Sequence, residues 1–300
     1  VGARTRQEPL SSILMSSGAP SCPQWCGLPA VPQPMGCGVF VYAHIPKTGG
    51  TTVAYHLKQH AAAHGWSHVV ESSAEGAARH EHDAINHRAN WSEILGSIRN
   101  ATRPRLLVFV HVSSTLAVGR SAMLCQAVPP ISNVLRAKGC KLVRSTTLRD
   151  PVARTASAAY YRGVAQANYS SWVASRDGSN GMVRWLLQGN PPTAGRERFA
   201  AAAAAAGRPL TDEGQLRWVT EVLSHFDLVG RTEQLAGFIA VARAVLGWPL
   251  FAAPLAAKNP TPPSNRYVLS PAERRWTEQH TSLDASLVDH FCAARGAGCN

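Results

Sequence analysis

The sequence predicts an α/β protein, with a parallel β-sheet flanked by helices and a carboxyl-terminal half that is mainly helical. Three observations lead there. GVFVYAHI (38–45), RLLVFVHV (105–112) and KLVRSTTL (141–148) are short runs rich in β-branched and aromatic residues, the pattern of buried strands. Helix-compatible segments lie between and after them, and strands that alternate with helices pair in parallel. Beyond the third run the chain reads as helix at 179–188, 212–225, 232–246 and 270–293, interrupted by the short strand FDLVG (226–230).

Taken in order, residues 1–37 mix Pro, Gly, Ser and Cys without periodicity and read as a stem or linker, with the folded domain over 38–300. Gly38 and Pro46 bound the first strand. A helix follows the Gly-Gly-Thr-Thr stretch at 49–52 and carries Val53, Leu57 and several alanines. Pro151 stands where the first turn of a helix tolerates proline, because the N–H it lacks would be unpaired there anyway. VARTASAAYYRGV continues that helix. The run Ala200 to Ala206 has high helix propensity but no long side chains to anchor it, and reads as a surface helix or low-complexity insert. No internal repeat is present.

Composition bounds the function. A chain of 300 residues with 45% hydrophobic residues is globular, not disordered. Thirty Lys+Arg against eighteen Asp+Glu leave a net charge of +12, which suits a polyanionic partner: nucleic acid, a phosphorylated nucleotide or an acidic glycan. The cysteines (Cys22, Cys26, Cys37, Cys125, Cys140, Cys292 and Cys299) show neither a CxxC pair nor zinc-finger spacing. With the sequons at Asn90, Asn100 and Asn168 they point to a secretory-pathway lumen, where disulfides persist. Bridges such as Cys292–Cys299 or Cys125–Cys140 fit that setting, and the odd count leaves one thiol over. No apolar run approaches the ~20 residues that span a bilayer.

HIPKTGGTT (44–52) is the most informative stretch. It joins a buried strand to a helix, where backbone N–H groups and the helix dipole converge on an anion. Gly49 and Gly50 let the backbone approach a phosphate closely. Thr48, Thr51 and Thr52 belong to the same loop, the last two adding hydroxyl donors, and Lys47 adds a mobile positive charge. The order is not that of a Walker A loop, in which the lysine follows the second glycine and a hydroxyl holds magnesium.

LRDPVARTASAAYYR (148–162) is the second motif. Arg149 ends a strand and Ser157 stands about two turns into the following helix, so a guanidinium fork and a hydroxyl can reach one phosphate. Asp150, directly before Pro151, can cap that helix.

These two stretches resemble the PAPS-dependent sulfotransferases of the Golgi glycan group, closest in pattern to the heparan sulfate 6-O- and 2-O-sulfotransferases. PAPS is 3′-phosphoadenosine 5′-phosphosulfate. The first stretch is similar to the family's phosphosulfate loop, with Lys47 at the position of the lysine that meets the bridging oxygen and leaving phosphate. The second is similar to R-D-P-x-x-R-x-x-S, the 3′-phosphate motif, through Arg149, Asp150, Pro151, Arg154 and Ser157. The resemblance covers roughly 38–293, with weaker echoes at 180–189, 226–235 and 283–291.

It implies a P-loop-like sulfotransferase fold that transfers a sulfonate group from PAPS to a carbohydrate hydroxyl. It also implies a glycan acceptor rather than a nucleic acid, and no metal. A Golgi-lumenal enzyme is expected, anchored by an amino-terminal segment that is not in this chain.

An attacking alcohol needs a base, and histidine has a suitable pKa. His111 ends the strand at 105–112, where α/β sheets place functional side chains, and the family places its base between the two motifs. His111 is therefore the expected base. His87, in HRANWSEI, is the rival, and His44 reads as loop packing. KNPTPPSNR (258–266) falls where the family covers the 3′-phosphate and adenine, but its prolines depart from the pattern. Tyr161 and Asn168 stand where the 6-O enzymes have glycan-facing residues, a second departure. Two other classes remain open: a Mg-dependent nucleotide kinase, and a non-catalytic polyanion- or glycan-binding protein.

Overall fold

The computed structural model describes residues 33–71, 88–110, 127–175, 178–188, 204, 210–249 and 267–293. Its centre is a sheet of six strands: β1 (Gly38–Ala43), β2 (Ser67–Glu71), β3 (Arg88–Ala89), β4 (Arg105–Val110), β5 (Lys141–Leu148) and β6 (Leu228–Arg231). The spatial order is β3-β2-β4-β1-β5-β6, and every neighbouring pair is parallel. The chain leaves β1 toward β2 on one side, and later passes from β4 to β5 on the other. β1 therefore sits where the direction of winding reverses, the place where open α/β sheets form a crevice beyond their strand ends.

Both faces of β1 are covered, and all six of its residues are buried. Val39, Val41 and Ala43 pack on one face with Val108 and Val110 of β4 and with Ile94, Ile131, Leu186 and Leu287 from the covering helices. Phe40 and Tyr42 pack on the other with Leu107, Val53, Leu57, Phe238 and Ile239. Period-two alternation puts odd and even residues on opposite faces, so a strand buried on both must be apolar throughout.

The helices are α1 (Gly50–Ala61), α2 (Trp91–Asn100), α3 (Val128–Ala137), α4 (Pro151–Tyr161), α5 (Tyr169–Ala174), α6 (Gly181–Gln188), α7 (Asp212–Ser224), α8 (Leu235–Leu246), α9 (Pro271–His280) and α10 (Ser282–Ala293). The segment 270–293, expected as one helix, is two. Thr281 adopts φ −120°, ψ 21° and gives its hydroxyl to the Thr277 carbonyl at 2.8 Å. A new helix then starts under a cap from elsewhere: Asn180 Oδ1 accepts from Leu283 and Asp284 N–H at 3.1 and 3.2 Å. The buried Asp284 carboxylate returns the service, accepting from Met182 and Val183 N–H at the start of α6. Among the described residues no helix is long and apolar enough to cross a membrane.

The disulfide differs from the expected Cys125–Cys140. Cys140 is bonded to Cys37, with Cα atoms 5.1 Å apart. Sheet register is the reason. Gly38 of β1 stands opposite Lys141 of β5, so the residues just before these strands face each other at the sheet's amino-terminal edge. Cys125, Cys299 and the Cys292 side chain lie outside the described residues. The chain also packs ahead of Gly38: Met35 is buried, and its N–H donates to the Val245 carbonyl at 2.7 Å. Of Ala200 to Ala206, only Ala204 is among the described residues.

Candidate functional site at the carboxyl edge of the sheet

The loop at 44–52 leaves the carboxyl end of β1, and the 149–161 segment leaves that of β5, the adjacent strand. His44 extends the sheet by one bond, its N–H donating to the Val110 carbonyl at 3.0 Å, and the chain then turns. Gly49 sits at φ +83°, ψ 4° as the N-cap of α1, a conformation that disfavours any residue with a Cβ. At Gly50 a Cβ would collide with the His44 ring. The glycine pair thus lets the loop fold tightly over His44, and His44 packs within the loop as expected. Gly49, the N-cap residue, has no side chain with which to cap α1.

The loop is tied down through its carbonyl groups. Thr48 is fully buried and donates its hydroxyl to the Ile45 carbonyl at 2.8 Å. Its own carbonyl accepts from the Thr147 and Thr232 hydroxyls, each at 2.7 Å. Because Thr147 spends its proton there, it accepts from the Tyr42 hydroxyl at 2.6 Å. Burial pushes the Tyr42 phenol far above its usual range, so it remains a donor. A loop whose carbonyl oxygens are bound to the sheet leaves an approaching anion to meet N–H groups and the positive end of α1. Thr51 is exposed at this end, whereas Thr52 is buried.

Lys47 is one of only two non-glycine residues with positive φ (+68°) among the described residues. Such a conformation persists when the surroundings over-determine it. Here Arg149 Nη1 donates to the Lys47 carbonyl at 3.0 Å, and the Lys47 ammonium lies 4.1 Å from the centre of the Tyr161 ring. Burial, and next the nearby Arg149 guanidinium, hold the Lys47 ammonium below the usual lysine range.

Asp150 caps α4 as expected, accepting from Ala153 N–H at 2.7 Å. Ser157 is half-buried on that helix, one turn before Tyr161 and on the same side, so it shares the face that meets Lys47. Arg154 points elsewhere. Its guanidinium is buried against Gly181, with Nε and Nη1 lacking hydrogen-bond partners among the described residues, and Asp284 supplies an opposing charge. The structure thus brings Lys47, Arg149 and the Ser157 face together and sets Arg154 among the helices.

His111, His87 and the 258–266 stretch lie outside the described residues. Position 111 directly follows Val110, which ends β4 beside β1. Thr147 and Thr232 carry the site's geometry without having stood out in the sequence, and Tyr161, noted there only as a departure from the glycan-facing residues of the 6-O enzymes, meets Lys47. A threonine-rich strand end at 145–147 was the only local signal for the first. No family model matches this chain, and no curated protein matches it.

Proposed function

We propose that this protein is a sulfotransferase that moves a sulfonate group from PAPS to a hydroxyl of a carbohydrate. The observation that carries the reading is the meeting of the two motifs, with Arg149 Nη1 on the Lys47 carbonyl at 3.0 Å. In this reading the two cationic groups, the Ser157 hydroxyl and the N-terminus of α1 form a donor set suited to a nucleotide with phosphates at both ends. In this reading Arg149 and Ser157 hold the 3′-phosphate, and the loop 47–52 holds the 5′-phosphosulfate. The acceptor oxygen attacks sulfur in line with the bridging oxygen. As the new O–S bond forms and the old S–O bond breaks, Lys47 and the loop amides stabilise charge on the leaving phosphate. His111 takes the acceptor's proton. The products are a sulfate ester and adenosine 3′,5′-bisphosphate.

A Golgi-lumenal setting is part of the proposal. The Cys37–Cys140 disulfide and the exposure of Asn90, Asn100 and Asn168 support an oxidising, glycosylating compartment. Titration with adenosine 3′,5′-bisphosphate tests the central reading. Tight binding that persists in EDTA, together with transfer of labelled sulfonate from PAPS to an acidic glycan, is expected. Preference for MgATP would establish the kinase reading instead, and glycan binding without nucleotide binding the non-catalytic one.

A further inference from the structure

Tyr161 is 68% exposed, the most exposed of the aromatic side chains that stand out as large apolar surface groups in the described residues. A ring that keeps two-thirds of its surface in water gains little from burial, so packing does not account for it. What it touches is the Lys47 ammonium, 4.1 Å from the ring centre. The other end of the same lysine is held by the same segment, through Arg149 and the Lys47 carbonyl. Both ends of one residue in a left-handed conformation are therefore gripped by the stretch 149–161.

We propose that Tyr161 is a positioning residue for Lys47, aiming its ammonium group at the phosphate that leaves during transfer. The inference rests on reading this loop as a nucleotide site. The chemistry of the partner explains the choice of a ring. A carboxylate would also fix the lysine, but it would neutralise the charge and repel an incoming phosphosulfate. The π face attracts an ammonium group through its quadrupole alone, keeps the full positive charge available, and leaves N–H donors pointing away from the ring. The contact lies where the ammonium is half-buried, which strengthens it relative to a fully solvated one. Tyr161 also lies one turn past Ser157, so the helix that carries the expected 3′-phosphate contact fixes the position of the ring as well.

Two variants test this, Tyr161→Leu and Tyr161→Phe, in the disulfide-bonded protein. Lysine ε-methylene shifts in isotopically labelled protein provide a readout besides activity. Protons held over a ring face move upfield, and the Lys47 resonance is assigned by its loss in Lys47→Arg. The expected result is an upfield Lys47 signal in the parent and in Tyr161→Phe that returns to the ordinary position in Tyr161→Leu. With PAPS and an acidic glycan, kcat should fall about three- to fivefold in Tyr161→Leu, with KM for PAPS nearly unchanged and the loss restored in Tyr161→Phe. An ordinary Lys47 shift in the parent, or a Tyr161→Leu variant with parental kcat, would overturn the inference while leaving the sulfotransferase reading intact. A folded parent that fails to bind adenosine 3′,5′-bisphosphate would overturn that reading and this inference with it.

Discussion

Replacing Arg149 with alanine separates the two contacts this residue makes. One is seen directly: Nη1 donates to the Lys47 carbonyl at 3.0 Å. The other is the proposed contact with the nucleotide's 3′-phosphate. A hydrogen bond involving a charged group contributes about 1.5–3 kcal/mol, and tenfold in affinity corresponds to about 1.4 kcal/mol. Losing the Lys47 contact loosens the loop whichever nucleotide is bound, so it weakens adenosine 3′,5′-bisphosphate and adenosine 5′-monophosphate alike. Losing the phosphate contact penalises only the bisphosphate. The ratio of the two affinities therefore isolates the second term, which should amount to about ten- to a hundredfold. Calorimetric titration of both nucleotides into parent and Arg149→Ala, at one fixed ionic strength, measures that ratio. The bisphosphate preference should collapse in the variant, and Ser157→Ala should reduce it less. A parent that binds both nucleotides equally, or a variant that keeps the parental ratio, would refute the assignment.

Four further outcomes follow from the same reading. The Cys37–Cys140 bridge closes a sequence separation of 103 residues. On the chain-entropy account, removing both cysteines should cost about 4–5 kcal/mol in urea unfolding, a large part of a typical domain's stability, and a loss below about 1 kcal/mol would deny it a stabilising role. Lys47→Ala should lower kcat by roughly a hundredfold with less effect on nucleotide affinity, and near-normal turnover would remove the lysine from the mechanism. Because burial disfavours the Lys47 ammonium, the parent's kcat/KM should decline on the alkaline side below the ordinary lysine value of about 10.4; that limb should be missing in Lys47→Arg. His111→Ala should keep bisphosphate binding but lose transfer, along with the acid limb near ~6.5, whereas His87→Ala and His44→Ala should retain that limb.

Much of the sheet was legible because its central strands carry their own signal. β1 and β4 are apolar on both faces apart from Arg105 at the start of β4, and β5, though it buries Ser145, Thr146 and Thr147, carries the β-branched residues a buried strand favours. β2 is different: SHVVE has only two adjacent valines, and its strand character comes from pairing beside β4. β3 is two residues long and has no pattern to read. α2 did leave a trace, since Asn90 and Glu93 form a reciprocal capping box. The loop glycines, Lys47 and Arg149 were readable because turn chemistry and motif spacing are local properties. The grip of Tyr161 on Lys47 and of Thr232 on Thr48 was not, because each joins residues far apart in sequence through the tertiary fold. The disulfide was misread for the same reason: its partner is chosen by strand register.

The exchange of caps between α6 and α10 sets a timetable for folding. The first turn of α6 is satisfied by Asp284, and that of α10 by Asn180. During synthesis, residues that emerge early would ordinarily settle first. Here α6 stays incomplete until a residue 102 positions beyond Met182 has been made. The guanidinium of Arg154, in the middle of the second motif, likewise lacks the opposing charge of Asp284 until then. The region beside the second motif can therefore close only after Asp284 has been made, so a chain halted before Asp284 should carry both motifs but not the surroundings that hold the second one in place.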